Sequence, residues 1–297
     1  MRTITHAKRN EIMGGYLFLL PSLLGFIIFI VYPMFNGFYL SFTDFNGFMS
    51  PNWIGLDNFA GMLNDPLVAK AVSNNAIYTL LQVPGSIALG LLVSCTLQHL
   101  PRGRRFFRTL LFFPHITSGV AIAVIWKQLF LPENGMINVI LRGVGVENPP
   151  SWIYASSTSL LSVVIVSIWQ SIGFNMIVYL SGLNSIPDDL YEAGLLDGAT
   201  GWKRFWHITF PLLSPTTFFL TIMGVINSFK VFDIIYQMTE GGPNNSSTVL
   251  VHRIYYEGIQ RFRFGYASAI ALLLFAAVLI VTLIQFRLQD RWVFYSE

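Results

Sequence analysis

Six long apolar runs, each free of charged side chains, dominate the chain. They lie between Glu11 and Asp44, Lys70 and Arg102, Arg108 and Lys127, Glu147 and Asp188, Arg204 and Lys230, and Arg263 and Arg287. Each is close to or longer than the roughly 20 residues that a helix needs to cross about 30 Å of hydrocarbon. The pattern therefore predicts an all-α integral membrane protein with six transmembrane helices.

Turn residues refine the positions of these helices. We place them at 15–42, 74–99, 107–130, 158–183, 209–236 and 266–288. The fourth helix begins only after residues 148–151, Asn-Pro-Pro-Ser, because this sequence is typical of a turn. We expect Pro21 and Pro33 to bend the first helix. A short interfacial helix is expected in the loop 131–157.

The distribution of basic residues predicts the orientation of the chain. Eleven Lys and Arg residues lie on the side of both termini and of the second and fourth loops, against six on the other side. Because basic residues concentrate on the cytoplasmic side, both termini are expected there. The predicted organisation is a cytoplasmic arm at 1–13, one transmembrane domain at 14–290 with a cytoplasmic loop at 186–211, and a cytoplasmic tail at 291–297.

Composition narrows the classes of function. Apolar residues make up 54% of the chain and charged residues 11%, far from the roughly 25% charge of soluble domains, and no basic patch suggests nucleic-acid binding. The five histidines are scattered, a single cysteine lies inside a helix, and no phosphate-binding G-x-x-x-x-G-K-[ST] sequence occurs. We therefore expect no catalytic residue, no metal and no cofactor bound by this chain.

The segment 186–211, between the fourth and fifth helices, is rich in small and acidic residues and yet helix-forming. Pro187 and Asp188 suit a helix start, where carboxylates meet free N–H groups and the positive end of the helix dipole. Gly198 and Gly201 suit its end. The residues alone leave two interpretations open: an amphipathic turn on the membrane surface, or a docking helix for a partner protein.

Polar side chains inside the fourth and fifth helices are candidates for a solute path, because burying them without a partner is costly. They lie at helical spacing beside aromatic and apolar residues: Ser167, Gln170, Ser171, Phe174 and Asn175, then Asn227, Ser228, Val231 and Phe232. Hydroxyls and amides next to aromatic rings suit a sugar. The alternative is adhesion between helices, which uses the same residue types. Lys230 and Asp233 are expected to form an ion pair near the outer end of the fifth helix.

Five segments resemble the importer permeases of ATP-binding-cassette transporters, and in particular the maltose-type sugar permeases. The most specific is Glu192-Ala193-Gly194-x-x-Asp197-Gly198-Ala199 followed by Ile208-x-x-Pro211, which resembles the EAA loop of that family. The others are residues 55–59 (GLDNF), 112–138, 169–193 and 228–243. Two features depart from the family: Gly194 stands where Ala is usual, and the large outer loop of the maltose relative is absent.

This resemblance implies a MetI-like permease fold with a cytoplasmic EAA coupling helix between helices 4 and 5. It implies half of a heterodimeric pore in the inner membrane of a prokaryote. The implied partners are a second permease subunit, two ATP-binding-cassette ATPase subunits and an extracytoplasmic solute-binding protein. ATP and Mg would be used by the ATPase subunits, so this chain would be a transport subunit and not an enzyme.

The resemblance also assigns residues to roles. Those expected to couple to the ATPase are Leu190, Glu192, Ala193, Gly194, Leu195, Asp197, Gly198, Phe205 and Pro211. The nine residues of the candidate solute path include positions that in the maltose relative lie at or beside the sugar. The expected solute is a di- or oligosaccharide. Glycerol phosphate or a polyol remains an alternative, as does an ion-coupled secondary carrier, which would be expected to hold buried carboxylates.

Overall fold

The computed structural model describes residues 6–100 and 102–294, with side chains from residue 13 onward. Fifteen α-helices lie in these ranges: α1 His6–Phe26, α2 Tyr32–Leu40, α3 Asp57–Leu63, α4 Pro66–Gln98, α5 Arg104–Ile116, α6 Gly119–Leu129, α7 Met136–Gly143, α8 Ser159–Asn184, α9 Asp188–Leu196, α10 Gly201–Arg204, α11 Phe210–Leu212, α12 Ser214–Phe229, α13 Asp233–Met238, α14 Leu250–Tyr255 and α15 Phe264–Gln289. Short π-helical turns occupy Ile27–Val31, Phe205–Thr209 and Tyr256–Gln260, and a 3₁₀ turn occupies Trp152–Tyr154.

Six candidate membrane spans follow from these helices. Four are single stretches, Met13–Leu40, Pro66–Gln98, Ser159–Asn184 and Phe264–Gln289, and two are bent pairs, Arg104–Ile116 with Gly119–Leu129 and Gly201–Leu212 with Ser214–Phe229. The helical, six-span architecture is therefore the one that the apolar runs predict. The ends of the predicted fourth and sixth helices agree with α8 and α15 to within two residues, and α7 forms in the outer loop as expected.

The two chain ends are only partly described. Of the predicted arm, residues 1–5 lie outside the described residues, and α1 already begins at His6. Of the predicted tail, residues 295–297 lie outside them as well. The first span has no sharp break at its prolines: a π-helical turn at Ile27–Val31 precedes Pro33, which lies in the first turn of α2.

The prediction of one continuous third helix is wrong. Its two halves, α5 and α6, meet at 98°. Thr117 and Ser118 are extended between them, with ψ of 144° and 130°. The Thr117 hydroxyl donates to the Phe113 carbonyl at 2.9 Å, which satisfies one of the acceptors that the end of α5 leaves free.

The continuous fifth helix at 209–236 is also wrong. A 62° bend at Leu213 separates its start from α12, which ends at Phe229. A second helix, α13, begins only at Asp233. Because the chain is not helical between these points, Lys230 and Asp233 are no longer one helical turn apart, and they form no ion pair among the described residues.

The second helix begins eight residues before its predicted start. Asp65 accepts a hydrogen bond from the backbone N–H of Leu67 at 2.8 Å, and Pro66 occupies the first helical position, where its missing N–H is no loss. At 33 residues, α4 is about 50 Å long, so it extends beyond the hydrocarbon.

The described residues fold as two compact units, 6–64 with 256–272 and 65–255, without residue 101, with 273–294. In the larger unit α4 packs along α8 and α12, α8 packs on α5, and α13 packs on α6. Glycines permit the closest approaches: a Cβ at Gly90 would lie 2.5 Å from the Asn175 Cβ. The core of this unit holds Tyr179 and Met176, both fully buried.

The smaller unit explains part of the GLDNF sequence. Asn58 is buried, and its amide donates to the carbonyls of Ser41 and Thr43 at 2.9 and 2.8 Å. Asn58 therefore holds the turn after α2, which gives this motif a structural role.

A buried carboxylate lies in the same unit. The Glu257 carboxylate is 3.4 Å from the Arg261 guanidinium and 3.3 Å from that of Arg263.

Candidate functional site

A polar cavity of about 190 Å³ opens within the larger unit, between α4, α8, α12 and the end of α5. Eight of the nine residues predicted for the solute path line it: Ser167, Gln170, Ser171, Phe174, Asn175, Asn227, Ser228 and Val231. Phe232 does not line the cavity. Its ring packs on Tyr236 and Tyr255, with centroids 5.2 Å away in both cases. The structure thus brings the predicted stripes of two helices together around one space.

The serine hydroxyls of the cavity already have partners within the chain. Ser167 donates to the Val163 carbonyl at 2.9 Å, and Ser171 donates to the Ser167 carbonyl at 2.8 Å. Ser228 donates to the carbonyl of Val225 at 2.7 Å. These bonds within single helices satisfy the hydroxyl protons, so the serines depend least on a solute.

The amides of the cavity behave differently. The side chains of Gln170, Asn175 and Asn227 line the cavity and make no hydrogen bond to another described residue. Asn175 is 6% exposed, whereas Asn227 is largely exposed. Each amide offers two N–H donors and a carbonyl acceptor. Because polar groups in a membrane interior need partners, these three amides are the side chains best placed to bind a hydroxylated solute.

The structure adds residues that the sequence did not single out. His115, at the end of α5, lines the cavity with its ring stacked on Phe174 at 5.0 Å. Gln82 also lines it, and its amide donates to the Ser171 hydroxyl at 3.1 Å. From the sequence, His115 is only one of five scattered histidines. The polar Gln82 inside an apolar helix was a signal that could have identified it.

No Lys, Arg, Asp or Glu lines this cavity. Lys230 is exposed at the end of α12, and Asp233 lies beside Gly119, where a Cβ would be 3.5 Å from its carboxylate oxygen. Within residues 6–100 and 102–294, no group of three His, Cys, Asp or Glu side chains is close enough to hold a metal ion. The cavity is therefore polar but uncharged.

The predicted helix in segment 186–211 forms as α9. Asp188 and Asp189 lie in its first turn, after Pro187. At its end the N–H of Ala199 donates to the Gly194 carbonyl at 2.7 Å and the N–H of Gly198 to the Leu195 carbonyl at 3.1 Å. With Gly198 at φ +74°, this is a Schellman motif, which satisfies the last carbonyls of the helix.

The side chains of α9 face two ways. Gly194 is buried, and a Cβ there would lie 2.4 Å from the Ile208 Cδ1, so its small size serves contact within the chain. Besides Asp188, seven side chains of α9 and its end are exposed, and we call them the outward face of α9: Asp189, Leu190, Glu192, Ala193, Leu195, Leu196, Asp197. Leu196 is 91% exposed and Trp202 74% exposed, and neither was among the predicted coupling residues. Large exposed apolar side chains of this kind need lipid or a partner protein to cover them.

The segment has two arms, of which α9 is the first and residues 201–211 are the second. The remaining predicted coupling residues lie on the second arm. Phe205 packs in an aromatic group with Trp202 and Trp206, at centroid distances of 5.8 and 5.4 Å. Pro211 precedes the bend at Leu213, and its carbonyl accepts the Ser214 hydroxyl at 2.6 Å. This hydrogen bond links the segment to the start of α12, which provides five of the residues that line the cavity.

The fold and the cavity define a membrane transport subunit. Residues 86–294 match one known family of proteins, which is described as the binding-protein-dependent transport system inner membrane component. The chain belongs to this family. It is a permease subunit of an ATP-binding-cassette importer and has the MetI-like permease fold, as the EAA-like sequence predicts.

The sequence also aligns with individual relatives over nearly its full length. It is 32% identical over 289 residues to the sn-glycerol-3-phosphate transport system permease protein UgpA of Agrobacterium fabrum, covering 97% of this chain and 98% of UgpA. It is 32% identical over 280 residues to the multiple sugar-binding transport system permease protein MsmF of Streptococcus mutans, covering 94% and 96%. A crystal structure of a bacterial transporter that imports the acidic polysaccharide alginate superposes with a TM-score of 0.83, at 26% identity and 96% coverage of both chains.

Proposed function

We propose that this chain forms one half of a heterodimeric pore that imports an uncharged di- or oligosaccharide. The observation that carries the proposal is the cavity, which presents three amides without partners and an aromatic ring but no charged side chain. Amides hydrogen-bond to sugar hydroxyls, and a ring face packs against the C–H face of a sugar. The sugar-binding system of MsmF supports this solute class.

Energy would reach the pore through segment 186–211. We propose that the outward face of α9 seats in a cytoplasmic ATPase subunit, with Glu192 binding donors there and Leu190, Leu195 and Leu196 as apolar contacts. Ala193, Asp197, Gly198, Phe205 and Pro211 would shape this segment, and Gly194 would allow its two arms to pack closely. The hydrogen bond from Ser214 to Pro211 would connect the segment with the start of α12.

The remaining subunits follow from this role. A second permease would complete the pore, two ATPase subunits would hydrolyse ATP with Mg, and an extracytoplasmic binding protein would deliver the solute. Residues 14–290 would form the permease domain in the inner membrane, with residues 1–13 and 291–297 in the cytoplasm. Basic residues on the side of segment 186–211 support this orientation.

Reconstitution tests the proposal. The binding protein is first screened for stabilisation by neutral sugars, glycerol 3-phosphate and polyols. Uptake of the solute that stabilises it is then measured in proteoliposomes that contain both permeases and the ATPases, with ATP on the ATPase side. We expect uptake of a neutral saccharide and at least a tenfold lower kcat/KM for Asn227→Leu. The control Phe219→Leu alters an exposed side chain outside the cavity and should leave uptake unchanged.

Glycerol phosphate is the second candidate, because UgpA serves it. A phosphate would favour Arg or Lys in the cavity, and none lines this half of the pore. Uptake of glycerol 3-phosphate in place of sugars would overturn the solute assignment. Uptake driven by a proton or sodium gradient without ATP would overturn the importer mechanism and favour an ion-coupled carrier.

The docking of α9 is tested separately by co-purification. We expect Leu196→Asp and Glu192→Arg to release the ATPase from the detergent-solubilised complex. Leu63→Asp, which changes a similarly exposed leucine on α3, serves as the matched control. ATPase that stays bound and coupled in both α9 variants would refute the docking role.

A further inference from the structure

A second pocket lies away from the solute cavity, where the ends of α4 and α8 meet segment 186–211. Its volume is about 480 Å³, within the range of small-molecule sites and larger than the solute cavity. Polar residues from three elements line it: Gln98 and His99 at the end of α4, Asp188 and Tyr191 on α9, and Arg204 and Thr209 on the second arm. The family assignment and the solute path leave this pocket without a role.

Arg204 provides a fixed cationic donor in the pocket. Its guanidinium carbon lies 5.4 Å from the centroid of the Tyr191 ring, and the residue is half-buried. Among the described residues its guanidinium forms no ion pair or hydrogen bond. An arginine held by its face against an aromatic ring keeps its edge donors for an anion, and guanidinium matches phosphate geometry in particular.

The other polar groups suit the hydroxyls of a ligand. The Nδ1 of His99 lies 2.8 Å from the Cys95 carbonyl, which only accepts, so Nδ1 carries the proton and the Nε2 of the neutral ring remains as an acceptor for a hydroxyl. The Asp188 carboxylate is an acceptor and would repel a bare anion. It suits a ligand that carries hydroxyl donors as well as a phosphate.

We infer that this pocket binds a phosphorylated sugar, with the phosphate at Arg204 and the sugar hydroxyls at Asp188, Gln98 and His99. The rings of Tyr191 and Phe205, which also line the pocket, offer apolar faces to the sugar. Inorganic phosphate or an anionic lipid headgroup shares only the anionic part of this chemistry. The carboxylate opposite the arginine favours the hydroxylated ligand over both.

The position of the pocket gives this binding a consequence. Asp188 and Tyr191 belong to one arm of segment 186–211 and Arg204 to the other, so a bound ligand bridges the two arms and the end of α4. A ligand that favours one arrangement of a coupling element opposes its movement. The sugar phosphate would thus inhibit import, as the product of a kinase reaction that consumes the imported sugar. This inference rests on the proposed function for the side of the membrane and the class of solute.

The test uses the complete importer in nanodiscs of phosphatidylcholine and measures binding by calorimetry. Glucose 6-phosphate is the probe, with glucose and inorganic phosphate for comparison. We expect glucose 6-phosphate to bind at least tenfold more tightly than either. Arg204→Gln should weaken its binding tenfold or more, and Asp188→Asn should strengthen phosphate binding severalfold. Lys203→Gln removes an exposed charge next to Arg204 that does not line the pocket, and it should bind as wild type.

Several results would overturn the inference. Equal binding of glucose 6-phosphate to wild type and Arg204→Gln would remove the arginine from the site, and tighter binding by inorganic phosphate would remove the sugar. Loss of glucose 6-phosphate binding in nanodiscs of phosphatidylglycerol would assign the pocket to a lipid headgroup. Sugar uptake without any effect of glucose 6-phosphate would leave the proposed function intact and reject only this regulation, whereas a complex that imports no sugar would reject the proposed function.

Discussion

Gly173 is a position where a single methyl group should clearly damage the fold. A Cβ at Gly173 would lie 2.2 Å from the carbonyl oxygen of Leu111 and 2.7 Å from the Cα of Phe112. Ordinary contact begins at 3.4 Å, so α5 and α8 would have to move apart by about 1 Å. Overpacking costs roughly 1–3 kcal/mol, and backbone atoms cannot rotate away, so we expect about 3 kcal/mol for Gly173→Ala.

The free energy of unfolding, measured by titration with SDS in mixed micelles, tests this magnitude. Gly143→Ala is the matched control, because a Cβ there meets nothing within 4 Å and gains at most about 1 kcal/mol of helix propensity. The substitution should also lower the affinity for the solute, since α5 carries His115 onto Phe174. A Gly173→Ala protein whose unfolding free energy stays within about 0.5 kcal/mol of wild type would refute the close packing of α5 on α8.

Three further predictions follow from local geometry. Gln170→Met should lower the affinity for the solute about tenfold, because the Gln170 amide lacks a partner in the chain. Ser171→Ala should change the affinity little, because the Ser171 hydroxyl already donates to a carbonyl of its own helix. Equal effects of the two substitutions in uptake assays would contradict this. Gly198→Val should lower the free energy of unfolding in SDS by about 1–2 kcal/mol, because φ at this position is +74° and a β-branched residue is strained there. An unchanged free energy of unfolding would exclude the left-handed turn. Hydrogen bonds from the backbone and side chain of Asn52 lower the pKa of the Asp44 carboxyl below its ordinary value of 3.8. The stabilisation from these bonds should therefore be fully present above pH 3.8 and be lost as the pH falls through the lowered pKa of Asp44. Exchange of the Asn52 amide should then accelerate, and an exchange rate independent of Asp44→Asn would reject this.

The sequence predicted those features whose causes are local. The charge-free run of the fourth helix needs no tertiary contact to be apolar, and its predicted ends agree with α8 to within one residue. Glycine at position 198 tolerates a left-handed backbone, so the end of α9 could be inferred as well. The early start of α4 was missed although Asp65-Pro66 is a helix-start signal, because the charged Lys70 was taken to mark a loop.

The helix breaks could not be inferred in the same way. The charge-free run continues across Thr117, and Lys230 and Asp233 stand three residues apart around Val231, so the sequence at both places is compatible with a straight helix. The bend between α5 and α6 places the His115 ring on the Phe174 ring. Because α12 ends at Phe229, Lys230 and Asp233 do not form the expected ion pair. Such bends depend on which neighbouring helix offers a contact, and that information is not local.

For this protein the order of residues alone determined the number of spans, the helix in segment 186–211 and the polar stripes on the fourth and fifth helices. Hydropathy and backbone preference depend on residues within one or two helical turns, so they can be predicted without knowing the tertiary structure. Only the tertiary structure decided which polar groups remain without partners. Gln82 on α4 donates to the Ser171 hydroxyl on α8, whereas Gln170 and Asn227 face a cavity that exists because α4, α8 and α12 meet there.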